Sequence, residues 1–137
     1  MRTTMVRKAH FNAAHKLHNN NWSDEKNRNV FGLCNSPNYH GHNYNMEVYV
    51  SGEVDPETGY LFDLKLLKDI IKEEVEDRYD HKNLNLDVDD YKDIQPSTEN
   101  IAFKIHELLS KRIDDKYKIR VHLWETERNG VVYPALD

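Results

Sequence analysis

The chain has 137 residues, a formal net charge of −5 and 38% hydrophobic against 31% charged residues. This length and balance predict one soluble globular domain over residues 1–137, and the acidic charge argues against a nucleic-acid partner. The single cysteine excludes an intrachain disulfide, and the lack of a signal-peptide or membrane-spanning apolar run predicts a cytoplasmic protein without a membrane partner.

The first predicted element is a β-strand over residues 5–17. Ala9, Phe11 and Ala13 alternate with polar residues and therefore share one face of that strand. His15 continues the same face at the end of the strand. A histidine in this position is either a satisfied core residue or a ligand at the edge of a pocket.

The polar stretch 18–33 is long for a connection inside a compact domain, and long connections often carry function. Ser23 is expected to cap a short helix within it. The apolar side chains of Trp22, Phe31 and Leu33 are expected to pack this excursion, a loop between two strands, against the rest of the domain. The stretch leads directly to the only cysteine of the chain.

Residues 34–44, C-N-S-P-N-Y-H-G-H-N-Y, hold the densest group of reactive side chains. His40 and His42 are two apart, so on a strand both imidazoles point to one face, where they can share a metal ion. A zinc site needs at least three protein ligands. Cys34 is a candidate either for the third ligand or for a reactive group beside the metal. The alternative is that this H-x-H pair is a surface accident.

A second strand is predicted over residues 40–52. Its apolar face carries Tyr44, Met46, Val48 and Val50. His40 and His42 extend that face backwards, as His15 extends the first strand. If the two strands pair antiparallel, the three histidines meet at one edge of the core, which favours a shared ligand site over an accident.

Two amphipathic helices follow, each with an apolar stripe at helical spacing that indicates a core-facing side. The first is predicted to begin after an N-cap at Asp63 and to end before Asp80 and His81. Its stripe comprises Leu64, Leu67, Ile71, Val75 and Tyr79. The second is predicted to begin at Ser97 or Thr98. Its stripe comprises Ile101, Ile105, Leu108 and Leu109.

The last two strands are predicted from residues 117–127 and from a return strand after Asn129 and Gly130, a pair typical of a type I′ hairpin turn. One face of the first carries Ile119, Val121, Leu123 and Glu125. Glu125 is a carboxylate on an apolar row. Because an unpaired buried carboxylate is costly, it needs a partner from the protein or from a ligand. The predicted order is β-β-α-α-β-β, in the α+β class.

Several of these segments together resemble the 6-pyruvoyl-tetrahydropterin synthase and 6-carboxytetrahydropterin synthase family. The resemblance runs from about Val6 to Tyr133. The matching segments are F-N-A-A-H-K-L at 11–17, F-G-L-C-N-S-P-N-Y-H-G-H-N-Y at 31–44, G-E-V-D-P-E-T-G at 52–59, D-H-K-N-L-N at 80–85, S-T-E-N at 97–100 and W-E-T-E-R-N-G-V-V-Y at 124–133. Separate motifs in the same order make the resemblance specific.

The resemblance implies the tunnelling fold (T-fold), with a four-stranded antiparallel sheet and two helices on one face. It also implies that trimers of this unit close a barrel and that two trimers stack as a homohexamer. The active sites would then lie between subunits.

The same resemblance implies a Zn²⁺ ion held by His15, His40 and His42, which agrees with the strand alternation. Cys34 would be the catalytic base. A zinc ion with three protein ligands keeps a position open for substrate oxygens. Without the resemblance, Cys34 could instead be the fourth ligand of a closed structural zinc site.

Four further residues receive roles from the resemblance. Asp80 and His81 would complete a proton relay with the thiol, and Glu125, helped by Thr98, would anchor the pterin ring. A carboxylate suits the two parallel N–H donors of a pterin edge. From the sequence alone, Asp80 and His81 could also be an ordinary helix-ending loop, and Thr98 could be only a helix cap.

The implied substrate is 7,8-dihydroneopterin triphosphate, converted to 6-pyruvoyl-tetrahydropterin with loss of triphosphate. The alternative product is 6-carboxy-5,6,7,8-tetrahydropterin, formed with release of acetaldehyde in queuosine biosynthesis. The five residues between Cys34 and His40 favour the pyruvoyl product. A non-catalytic, zinc-stabilised oligomeric module is a more distant alternative. Candidates for contacting the triphosphate, by position only, are Lys16, His18, Lys26 and Arg28.

Overall fold

The structure is a computed structural model that describes residues 1–137. Its strands are β1 (Arg2–His15), β2 (His40–Glu53), β3 (Lys82–Asn83), β4 (Lys118–Trp124) and β5 (Gly130–Tyr133). Its helices are α1 (Asp24–Phe31), α2 (Leu64–Ile71), α3 (Asp77–Tyr79) and α4 (Thr98–Ser110). A π-helical turn, Lys72–Glu76, joins α2 to α3, and short 3₁₀ turns span Gly32–Asn35 and Asp89–Tyr91.

The five strands form one sheet in the order β3-β1-β2-β4-β5. The pairs β1–β2, β2–β4 and β4–β5 are antiparallel, which confirms the predicted four-stranded antiparallel sheet. The fifth strand, β3, was not predicted. It has only two residues and runs parallel to the outer edge of β1, a pairing too short for any periodicity to indicate.

The core lies between one face of this sheet and the helices. The alternating residues Phe11, Ala13, Tyr44, Met46, Val48 and Val50 are all buried, as predicted from the sequence. They share one cluster with the buried stripes of α2 and α4. Each large side chain buried in this way contributes about 1.5–3 kcal/mol. The predicted placement of both helices on one face of the sheet is therefore confirmed.

The first long helix begins as predicted, because the Asp63 carboxylate accepts hydrogen bonds from the backbone N–H groups of Lys65 and Leu66. Its buried stripe repeats every four residues, whereas an α-helix turns every 3.6 residues, so the stripe would drift by about 40° at each step. The wider π-helical turn at Lys72–Glu76 offsets this drift. Leu67, Ile71, Val75 and Tyr79 are consequently all buried. Leu64 is 56% exposed, so its assignment to the stripe was wrong.

The excursion between β1 and β2 contains the predicted short helix. The Ser23 hydroxyl accepts a hydrogen bond from the Lys26 N–H, as an N-cap should. The rings of Trp22 and Phe31 stack with centroids 5.6 Å apart. Leu33 was expected to pin this segment, but it is 91% exposed.

The turn before the last strand differs from the prediction. β4 ends at Trp124, and the loop from Glu125 to Asn129 follows it, so the strand is shorter than the predicted 117–127. The Glu125 and Thr126 backbone N–H groups both donate to the Asn129 carbonyl. Glu125 thus lies just beyond the strand whose apolar face it was expected to share.

Gly130 does not form the two-residue hairpin turn that the sequence predicted. Neither Asn129 nor Gly130 adopts the positive φ that a type I′ turn requires. A Cβ atom on Gly130 would lie 2.7 Å from the indole ring of Trp124. The glycine is needed because Trp124 packs directly over the backbone of its strand partner.

None of the helices combines the length and apolarity that a membrane crossing requires.

Candidate metal centre and active site

The antiparallel register of β1 and β2 brings the three predicted histidines together. His15 pairs directly with His40, and His42 lies opposite Ala13. The Nε2 atoms of His15 and His40 are 3.1 Å apart. The ring centroids of His15 and His42 are 5.2 Å apart. The prediction from strand alternation that these imidazoles meet at one edge of the core is confirmed.

A carboxylate completes the cluster. Glu125 Oε1 lies 2.9 Å from His42 Nε2 and 3.5 Å from His15 Nε2. One ligand atom from each of the four residues lies within 4.8 Å of all the others. The family resemblance implied that Glu125 anchors a pterin, and nothing in the sequence pattern placed it among the histidines.

The tautomer of His15 follows from its other ring nitrogen. His15 Nδ1 is 2.7 Å from the carbonyl oxygen of Pro96, to which it donates a hydrogen bond. The lone pair of a neutral His15 ring is then on Nε2, which faces the cluster. Metal-binding histidines are commonly oriented by such a contact on the far nitrogen. Sequence reasoning missed Pro96, because a backbone carbonyl leaves no signal in residue type.

Two buried nitrogens of the cluster have no hydrogen-bond partner, His42 Nε2 and His40 Nδ1. The Glu125 oxygen near His42 Nε2 makes no hydrogen bond with it despite the short distance. Leaving a buried polar atom unpaired costs about 1–3 kcal/mol. An ion at the centre of the cluster would satisfy the His42 nitrogen, and a set of imidazoles with a carboxylate is a typical donor set for zinc.

The protonation state also suits metal binding. Burial lowers the pKa of both His15 and His42, and this effect outweighs the Glu125 carboxylate, which raises them. Both rings are therefore held in the neutral form, the form in which imidazole binds a metal.

Ser97 and Thr98 have different roles, one as the cap of α4 and the other as a contact of Glu125, which the sequence could not distinguish. Ser97 is the N-cap of α4, and its hydroxyl accepts from the Asn100 N–H. The Thr98 hydroxyl is thereby free to donate to Glu125 Oε2, at 3.0 Å. Thr98 is 6% exposed, so this contact fixes the carboxylate from the protein side.

Cys34 lies in the 3₁₀ turn at the end of the excursion. Its carbonyl oxygen accepts a hydrogen bond from the Leu17 N–H at 2.8 Å, which ties the turn to the chain just after β1. Burial raises the pKa of the Cys34 thiol, and the Glu125 carboxylate raises it further. The side chains of this chain alone therefore keep the thiol protonated.

Asp80 and His81 form a pair, but not with Cys34. Asp80 Oδ2 is 2.9 Å from His81 Nδ1, and Asp80 Oδ1 accepts from the Asn12 N–H at 2.8 Å. The hydrogen bond from Asn12 is the main reason that the pKa of Asp80 is lowered, and His81 lowers it further. The His81 side chain is 84% exposed. No hydrogen bond or ion pair joins this pair to Cys34 within the chain.

A polar cavity of about 610 Å³ adjoins the cluster. Pro96, whose carbonyl contacts His15, lines it, and so do Lys16 and Tyr39, the chain neighbours of His15 and His40. Of the four basic residues considered from the sequence, Lys16 and His18 line it, but Lys26 and Arg28 do not. Lys26 lies over the Trp22 ring instead.

The sheet, its one-sided helices and a ligand cluster at the strand ends make this a T-fold protein. The family model described as 6-pyruvoyl tetrahydropterin synthase matches residues 4–135. The human 6-pyruvoyl tetrahydrobiopterin synthase is 42% identical over 127 residues, covering 93% of this chain and 88% of that protein. The structure of Caenorhabditis elegans 6-pyruvoyl tetrahydropterin synthase matches with a TM-score of 0.91 and 38% identity, covering 97% of this chain and 95% of that one.

A relative with another named activity is the dihydroneopterin monophosphate aldolase of Pyrococcus furiosus. It is 33% identical over 132 residues, covering 96% of both chains. The chain belongs to the 6-pyruvoyl tetrahydropterin synthase family. It is an enzyme of the lyase type that this family represents, as the motifs in the sequence predicted.

Proposed function

We propose that this enzyme is a zinc-dependent lyase that converts 7,8-dihydroneopterin triphosphate to 6-pyruvoyl-tetrahydropterin with loss of triphosphate. The observation that carries the proposal is the convergence of His15, His40 and His42, with the Nε2 of His42 buried and unpaired. The name of the human relative supports the product.

His15, His40 and His42 would hold the metal, each through a neutral imidazole. Zinc bound there would act as a Lewis acid that polarises hydroxyl groups on the substrate side chain. The Pro96 carbonyl would keep the His15 ring in its binding orientation, because it occupies Nδ1.

Cys34 would hold and transfer a proton at its Sγ atom as the general base. Because burial and Glu125 raise its pKa, the thiol needs a positive charge beside it before it loses its proton near neutral pH. A protonated histidine or a bound metal cation supplies such a charge.

Asp80 and His81 would supply the relay from a neighbouring subunit. Within one chain the His81 side chain is directed into solvent, while Asp80 is held on β1 by Asn12. We therefore propose a cytoplasmic homohexamer, a dimer of trimers, in which this pair faces the Cys34 of another copy.

Glu125 and Thr98 would bind the amide edge of the pterin. The carboxylate accepts two parallel N–H groups, and Thr98 sets its orientation through Oε2. The triphosphate would extend into the adjoining cavity, where the Lys16 ammonium offers positive charge and His18 lines the wall.

The purified protein incubated with 7,8-dihydroneopterin triphosphate tests the proposal. We expect 6-pyruvoyl-tetrahydropterin and triphosphate in the product profile. Acetaldehyde with 6-carboxytetrahydropterin would favour the alternative lyase reaction instead. Absence of any turnover by the zinc-loaded protein would point to the non-catalytic oligomeric module.

A further inference from the structure

Half-buried His18 lines the polar cavity, and a side chain from the first 3₁₀ turn, Asn35, fixes the position of its ring. We propose that His18 recognises a phosphoryl group in this cavity as a neutral donor, through the N–H at Nε2, and that Asn35 is the residue that positions this donor. The assignment of the donor atom stands on the geometry of the ring alone, whereas the identity of the ligand rests on the proposed function.

The orientation of the Asn35 amide follows from the carbonyl group next to it. Asn35 Nδ2 lies 2.7 Å from the carbonyl oxygen of Leu17. Because a carbonyl oxygen only accepts hydrogen bonds, the NH₂ group must be the part of the amide at this position. The reverse orientation would place two acceptors against each other. Asn35 is only 8% exposed, so its burial makes such a mismatch costly.

The second hydrogen of the same NH₂ group fixes the tautomer of His18. Asn35 Nδ2 lies 2.8 Å from His18 Nδ1. An amide nitrogen donates and does not accept, so His18 Nδ1 must accept this hydrogen bond with its lone pair. A neutral ring with its lone pair on Nδ1 carries its proton on Nε2. His18 therefore has a free N–H donor at Nε2, because this nitrogen makes no hydrogen bond within the chain.

The backbone around His18 is held as closely as its ring. The Gln95 side chain accepts the His18 N–H through Oε1 at 3.1 Å and donates from Nε2 to the His18 carbonyl at 2.6 Å. The neighbouring Leu17 N–H donates to the Cys34 carbonyl at 2.8 Å. Contacts from two other parts of the chain thus hold this segment in place. A donor positioned in advance loses little conformational freedom when a ligand binds.

The charges around the cavity make a directed donor important for binding an anion. Its exposed charged side chains are Asp89, Lys92 and Asp93, which give no positive excess. The half-buried cation of the lining is Lys16. An anion in this cavity is therefore held by the Lys16 ammonium together with hydrogen bonds. A phosphoryl oxygen only accepts and carries negative charge, so it forms a charge-assisted hydrogen bond with the His18 N–H.

Two substitutions separate the donor from the contact that holds it. His18→Asn retains an acceptor for Asn35 but removes the donor, whereas His18→Gln places an amide N–H near the position of Nε2. The zinc-loaded full-length proteins are titrated with inorganic triphosphate in a calorimeter, and their zinc content is measured before and after. We expect an affinity about tenfold weaker in His18→Asn and nearly unchanged in His18→Gln. His10→Asn, which removes an exposed histidine of β1 outside the cavity, should behave like the unmodified protein.

Neutron diffraction from crystals exchanged into D₂O locates the ring proton without any variant. We expect a deuteron on His18 Nε2 and none on Nδ1, and a deuteron on Nδ1 would overturn the tautomer. Absent triphosphate binding, equal affinity in all four proteins, or an equal loss in His18→Gln and His18→Asn would overturn the contact with a phosphoryl group. If His18→Asn alone binds triphosphate weakly but the unmodified zinc protein converts no 7,8-dihydroneopterin triphosphate, the contact stands and the proposed function fails.

Discussion

At the scale of single residues, Cys34 and His42 lie in the same region of the chain but should respond differently to substitution. His42 carries an unpaired nitrogen directed into the cluster, whereas Cys34 is placed by its backbone and is not one of the four residues of the cluster. The two roles considered for the thiol, ligand and base, therefore separate in a metal measurement.

We expect Cys34→Ala to retain about one zinc per chain and to lose turnover by about 10²–10⁴-fold, the usual contribution of a general base. His42→Ala should lose both zinc and turnover, because two imidazoles hold zinc less tightly than three. Atomic absorption on the dialysed proteins measures the difference. Loss of zinc from Cys34→Ala with retention in His42→Ala would make the thiol a ligand.

Lys16 is a basic residue that lines the cavity and follows His15 directly in the chain. We expect Lys16→Ala to raise KM for 7,8-dihydroneopterin triphosphate about tenfold, or about 1.4 kcal/mol. Binding of 7,8-dihydroneopterin, which carries no phosphate, should be unchanged. Lys26→Ala is the matched control, since Lys26 lies outside the cavity. An equal rise in KM for both variants would show a general charge effect instead of a local contact.

The sequence predicted the residues whose meeting depends on strand alternation and antiparallel pairing. His15, His40 and His42 belong to this group, because two strands and one register fix their positions. Glu125 meets Thr98 only because α4 is placed beside the end of β4, and no periodicity carries that information. Contacts between elements from distant parts of the chain depend on packing, which a single sequence does not display.

At the scale of secondary-structure elements, the cap of α2 is the clearest local contribution to stability. The Asp63 carboxylate accepts two backbone N–H groups that otherwise have no partner in the helix. We expect Asp63→Ala to lower the free energy of unfolding by about 1 kcal/mol. Thermal unfolding measures this, with exposed Lys65→Ala as the control. An equal loss in the control would mean that the cap contributes nothing specific.

His106 connects α4 to β4 and should make the stability of that contact depend on pH. Its Nε2 donates to the Ile119 carbonyl, and burial lowers its pKa by more than this hydrogen bond raises it. The unfolded chain then takes up a proton more readily than the folded one. The contribution is therefore present above the ordinary histidine pKa of about 6.5 and is lost as the pH falls below it.

We expect the melting temperature of the metal-free protein to fall between pH 7.5 and pH 5.5. The fall should be smaller in His106→Gln, whose side chain can still donate to a carbonyl but does not titrate. Because the other histidines are unchanged, the difference between the two proteins isolates His106. Identical pH dependence in both would contradict this assignment.

The elements that differ from their predictions have a common physical basis. A two-residue strand such as β3 is held by its neighbour and not by its own residues, so it has no periodic pattern. In the sequence, Gly130 is typical of a hairpin turn. In the structure, a glycine is needed there because the Trp124 ring packs against its backbone. Local propensity predicts a turn at this position correctly, while contacts across the strands decide its length and geometry.

At the scale of the whole molecule, the helices cover only one face of the sheet. The other face carries partly buried polar and aromatic side chains, including the stacked rings of His122 and Trp124. The sheet also ends in two short edge strands, β3 and β5, whose outer hydrogen-bonding groups have no partner strand in the chain. A bare face between two open edges suits closure of the sheet with copies of itself.

This arrangement leads to a test of where Asp80 and His81 act. Cys34→Ala and His81→Ala should each be nearly inactive as separate proteins. If the relay comes from a neighbouring subunit, mixed assemblies contain some intact sites. Such a site takes its Cys34 from a His81→Ala chain and its His81 from a Cys34→Ala chain. Co-expression in equal amounts should then restore about a quarter of the unmodified activity, since random mixing fills each of the two positions correctly in half of the sites.

The control for this restoration combines Cys34→Ala with His42→Ala. Both residues belong to the part of the site that one chain supplies, so their mixed assemblies should stay inactive. If mixed assemblies of Cys34→Ala and His81→Ala form and also stay inactive, each chain supplies its own relay. His81 would then have to turn from its exposed position toward the thiol of its own chain, although the hydrogen bond between Asp80 and the Asn12 backbone holds its partner on the outer edge of β1.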